Sequence, residues 1–157
     1  MQLNRLDAHL EPVTTSTVTG MKGVALMIDG RPLADHAGDV EASEIRAGKT
    51  EGPAGSYLPM FVAEVKGPEH FLGRPEISRF GDGDTVLLGC VCGTWDCWPL
   101  TARVEVRDDV VVWHGFRHGF REWDYEALGP FVFDREAYHE QFAAIDWSDT
   151  GIPPGGW

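Results

Sequence analysis

Residues 89 to 100, "GCVCGTWDCWPL", hold all three cysteines of a 157-residue chain in the pattern C-x-C-x4-C. Three soft thiolates so closely spaced suit a tetrahedral metal site. Cys90, Cys92 and Cys97 would be zinc ligands, with His114 or His118 as a fourth. The same spacing admits two other readings. Free thiols pack as small hydrophobes, and a Cys92–Cys97 pair across a bend could form a disulfide. A redox role lacks the C-x-x-C at a helix N-terminus that depresses a thiol pKa. All three readings stay open on the sequence alone.

Two further groups of residues could take part in recognition. Trp95 and Asp96 fall at the expected tip of the cysteine hairpin, where a large ring beside a carboxylate would anchor a protein partner. The stretch "HGFRHGFREWDYE", residues 114–126, is the one concentrated cationic segment. Arg117, His118 and Arg121 are candidate anion ligands there, although pairing with the nearby Glu122, Asp124 or Glu126 would neutralise both arginines. No nucleophile elbow, phosphate loop or calcium loop occurs. Among 25 acidic residues no spacing selects a catalytic carboxylate pair, so a non-enzymatic role is the expectation.

The elements that would position these groups are clearest after residue 84. Strands are expected at about 85–92, 98–107 and 110–116. In the middle one Leu100, Ala102, Val104 and Val106 alternate with polar residues, the period-2 pattern of a half-buried antiparallel strand. A two-residue loop at Asp108-Asp109 sets Val104 opposite Trp113. Extending the even-numbered face to the first strand sets Cys90 opposite Leu100 and Leu88 opposite Ala102. Cys90 and Cys92 should then point toward the core, with Cys97 turned elsewhere. A helix follows at about 135–145, capped by Asp134, with Phe133 and Tyr138 as a staple and Tyr138, Phe142 and Ile145 as its buried stripe. Earlier in the chain, strands are read within 12–29 and at 57–65. Residues 31–56 read as a surface excursion with one short helix around Val40–Ala47, and 148–157 as a flexible tail. The whole is expected to be one α+β domain, mostly antiparallel sheet with a C-terminal helix packed on it.

A net charge of −12 with pI near 4.7 argues against nucleic-acid binding and suits a basic protein partner. No long apolar run suggests a membrane span. An odd cysteine count and an N-terminus without a basic-then-apolar leader lead to a cytoplasmic expectation. Three lysines against ten arginines suggest a GC-rich bacterial gene.

Residues 85–140 resemble a group of uncharacterised bacterial proteins, through "LLGCVCGTWDCWPL", "VVVWHGF" and "GPFVFDREAY". The likeness implies a shared domain and carries over no functional residue. The leading expectation is a small acidic binding module, for instance an immunity-type inhibitor of a basic toxin. The alternative is a thiolate metal protein.

Overall fold

The computed structural model describes residues 2–16 and 19–153. Eight strands, β1 (Leu6–Val13), β2 (Met21–Ile28), β3 (Arg31–Pro32), β4 (Tyr57–Pro59), β5 (Asp84–Cys90), β6 (Leu100–Val106), β7 (Val110–His118) and β8 (Phe131–Asp134), form two antiparallel sheets. One has the order β1-β2-β3 and the other β4-β5-β6-β7-β8. Three helices, α1 (Leu33–Arg46), α2 (Val62–Val65) and α3 (Arg135–Ala143), complete an α+β fold. Both sheets contribute to one apolar cluster, from Val24, Leu26 and Ile28 to Leu88, Leu100 and Trp113. Hydrogen bonds stitch the sheets together at two places, Val24 N to Met60 O at 2.9 Å and Asn4 N to Val132 O at 2.7 Å.

The β6–β7 hairpin has the register its alternation predicts. Val104 lies opposite Trp113, and Arg107 N donates to Val110 O at 2.8 Å. Leu100, Ala102, Val104, Val111 and Trp113 are buried on the shared face. Helix α3 also starts where its cap requires, since the Asp134 carboxylate accepts from Ala137 N at 2.9 Å. Its Tyr138 and Phe142 sit in the core with Ile145, and the Phe133 and Tyr138 rings approach to 5.5 Å. The Tyr138 hydroxyl is fully used, donating to Phe71 O at 2.6 Å and accepting from Trp113 Nε1 at 3.0 Å.

Four expectations change. First, the segment read as a surface excursion contains a 14-residue helix, α1, beginning at Leu33. Its buried stripe is Leu33, Ala37 and Glu41. A carboxylate occupies a core position there, so the apolar period was invisible. Second, the strand expected over 57–65 stops at Pro59. Proline cannot donate to a ladder, and α2 begins directly afterwards, with the Glu64 carboxylate accepting from Phe61 N at 3.0 Å. Third, the first strand of the N-terminal hairpin starts at Leu6, upstream of the expected residue 12. Fourth, the β5–β6 register is displaced, with Leu88 rather than Cys90 opposite Leu100, and Thr85 rather than Leu88 opposite Ala102. The displacement is two residues on the cysteine side of an irregularity between Val86 and Leu88 and three beyond it, so the bulge adds one residue and the longer connection holding the 3-10 turn Trp95–Cys97 sets the rest.

Residues near the C-terminus rest on the β1–β2 hairpin, where Lys22 N donates to Thr150 O at 2.9 Å. The remainder of the expected tail, 154–157, lies outside the described residues. No helix among the described residues is long and apolar enough to cross a membrane.

Candidate metal centre

Strand β5 ends at Cys90, paired with Tyr57 of β4. A turn leaves the sheet at once, with Gly93 N donating to Cys90 O at 3.0 Å and Gly93 at φ +94°. That left-handed conformation favours glycine. A one-turn 3-10 segment, Trp95–Cys97, then folds back over the strand. A side chain at Gly89 would place a Cβ only 3.0 Å from Trp95 Cα, so this close approach needs the glycine.

The fold-back gathers the cysteines. The Sγ atoms of Cys90, Cys92 and Cys97 all lie within 4.8 Å of one another. This overturns the expectation that Cys90 and Cys92 face the core while Cys97 points away. Cys90 is half-buried, and Cys92 and Cys97 are exposed. The period-2 rule failed because the strand ends at Cys90, and a turn has no alternating faces.

Backbone N–H groups point at two of the sulfurs. Cys92 N donates to Cys90 Sγ and Thr94 N to Cys92 Sγ, each at 3.4 Å. The Thr94 N–H and then the Cys90 thiol lower the Cys92 pKa below the ordinary thiol value. Burial raises that of Cys90. The hydrogen bond to Cys92, followed by desolvation, pushes Cys97 up to about 11. The cluster therefore carries its first negative charge on Cys92, with the other two thiols leaning on it. A divalent cation taken up here replaces protons, so metal affinity rises with pH.

Metal–sulfur bonds of about 2.3 Å in a tetrahedron need sulfurs about 3.8 Å apart. The observed spacing is within reach of that by small rotations of two exposed side chains. Neither histidine joins the group. His114 lies opposite Arg103 and its Nε2 contacts Glu105 Oε1 at 2.6 Å. His118 is buried, with Nδ1 accepting from Phe120 N at 3.0 Å. That bond leaves the ring proton on Nε2, which makes Nε2 a donor rather than a metal ligand. Among the described residues, the three cysteines are thus the groups close enough to hold a metal ion together.

The other candidate residues fall in different places. Trp95 is half-buried and packs against the core instead of projecting from a tip, while Asp96 is exposed. Arg117 pairs with Asp82, its Nη2 lying 2.9 and 3.0 Å from the two oxygens. Arg121 does not pair with Glu122, Asp124 or Glu126. It is bonded through Nη2 to Glu41 Oε2 at 2.5 Å, with both side chains fully buried.

That ion pair is the centre of a network the sequence did not reveal. The Glu41 carboxylate also accepts from the Tyr57 hydroxyl, from the Tyr125 hydroxyl at 2.7 Å and from Gly55 N at 2.8 Å. The Arg121 guanidinium stacks between Trp123 and Trp98, 3.6 and 4.7 Å from the ring centres. Its other nitrogens donate to Tyr125 Oη and Pro53 O. Two tyrosines beside a charged pair satisfy the lone pairs that burial would otherwise leave costly. No single stretch of sequence could have shown it, because Glu41 and Arg121 are 80 residues apart.

No family model, curated protein or solved structure matches the chain.

Proposed function

We propose that this chain is a thiolate metal protein in which Cys90, Cys92 and Cys97 bind one zinc ion. The convergence of three sulfur atoms within 4.8 Å carries the reading. The two N–H···S bonds support it, since such donors stabilise thiolate charge and orient ligands. Three protein ligands with an open fourth position differ from a closed structural site. Three thiolates leave a zinc centre with one net negative charge, which favours soft-donor binding over strong activation of water. A reducing compartment such as the cytoplasm keeps these thiols available.

Metal analysis of the full chain purified under reducing conditions tests the proposal. It should give about one zinc per chain, falling to near zero in Cys92→Ser, with pH-dependent rebinding against a chelator. Fully reduced protein that takes up no zinc refutes it. A second reading, an acidic module for a basic protein, keeps the net charge of −12 in its favour. Its anchor, Trp95, lies half-buried against the core, and that weakens it.

A further inference from the structure

The number of donors in the cysteine cluster selects its guest. The sulfurs of Cys90, Cys92 and Cys97 lie within 4.8 Å of one another, and among the described residues no His, Asp or Glu side chain joins them. Zinc in protein sites is almost always four-coordinate, so three sulfurs leave it one ligand short. Trivalent arsenic differs. It forms three bonds in a pyramid, its lone pair takes the fourth corner, and it is a soft centre matched to thiolates. Arsenic–sulfur bonds are about as long as zinc–sulfur bonds, about 2.3 Å. Rotation of the exposed Cys92 and Cys97 side chains brings the sulfurs to that distance. Backbone N–H groups, each at 3.4 Å, already orient the sulfurs of Cys90 and Cys92. Ligands held in advance lower the ordering cost of binding.

Proton and charge balance favour the same guest. Arsenite near neutral pH is the uncharged acid As(OH)3. With three thiols it gives one tris-thiolate and three waters. Three As–O and three S–H bonds break, three As–S and three O–H bonds form, no electron moves and no charge appears. Zinc taken up by three thiols releases three protons and leaves the centre with one negative charge. That charge sits beside the exposed Asp96 in a chain of net charge −12, and gathered like charges repel.

We propose, on the reading of Cys90, Cys92 and Cys97 as one binding centre, that its preferred guest is trivalent arsenic. All three sulfurs hold it as a pyramidal tris-thiolate, and it displaces zinc.

Sodium arsenite titrated into the full chain tests this, with a phosphine as reductant because thiol reductants compete. Mass spectrometry of the intact protein should show one arsenic gained and three hydrogens lost. Titratable thiols should fall from three to none. Cys92→Ser and Cys97→Ser, each at an exposed position, should weaken binding about a hundredfold, since the third bond closes at high effective concentration. From zinc-loaded protein, equimolar arsenite should release the metal to a chromogenic chelator beyond the release seen without arsenite. The proposal is overturned by the absence of an adduct, by an adduct that leaves one thiol titratable, or by unchanged affinity in either variant. Zinc that stays bound against equimolar arsenite overturns it too. A chain that binds zinc and no arsenite overturns this proposal alone. One that binds arsenite and no zinc supports it and refutes the zinc reading.

Discussion

Acid should destabilise this protein through His70, and by an amount that follows from its hydrogen bonds. The ring is 1% exposed and neutral, with Nε2–H donating to Val86 O at 2.8 Å. Its Nδ1 accepts from Glu76 N at 3.2 Å and Ile77 N at 3.4 Å. A second proton would sit on Nδ1, facing two N–H groups in an apolar interior. Burial accordingly pushes the His70 pKa down to about 4. In the unfolded chain the ring titrates near 6.5. Between these values the unfolded state binds a proton that the folded state refuses. The His70 contribution is therefore complete above about pH 6.5 and is lost as pH falls toward 4. At about pH 5 the gap of roughly 1.5 units is worth about 2 kcal/mol, or about a thirtyfold change in the folding equilibrium. Any folded value well below 5 gives the same loss, so the result depends only on His70 staying neutral. The assay is urea unfolding of the parent and His70→Gln, each at about pH 7.5 and about pH 5. The parent should lose about 2 kcal/mol more than the variant on acidification. His118, whose pKa burial also depresses, is present in both proteins and cancels. Equal losses in the two proteins would refute the reasoning.

The Glu41–Arg121 pair should behave as a buried unit. Glu41→Gln leaves a buried guanidinium uncompensated and should cost about 3–5 kcal/mol in chemical denaturation. Glu41→Leu combined with Arg121→Met should recover much of that loss, and a double variant as unstable as the single one would contradict a charge-based account. Asp134→Ala removes the only side-chain cap of α3 and should cost about 1 kcal/mol, read from a shifted urea midpoint at unchanged slope.

Much of the second sheet was legible in the sequence because local rules governed it. Alternation from Leu100 to Val106 and a two-residue loop are enough to fix which faces of β6 and β7 meet the core. The α3 cap and stripe are equally local, lying within a dozen residues. Helix α1 escaped because a charged residue fills a position in its buried stripe. Periodicity detects apolar side chains and cannot detect a carboxylate whose partners come from Tyr57, Arg121 and Tyr125. The cysteines were conspicuous as residue types, yet their arrangement was misjudged. The strand ends at Cys90, and a turn without alternating faces carries the other two cysteines.

By itself the sequence determined composition and charge, the β6–β7 hairpin, the C-terminal helix and the presence of three thiols within eight residues. Tertiary structure alone decided that the sulfurs converge, that Arg121 belongs to Glu41, and that His118 keeps an unpartnered N–H beside Trp98. The division has a physical cause. Secondary structure follows from side-chain period and caps over a few residues. A site depends on distances between atoms whose chain separation says nothing about their separation in space.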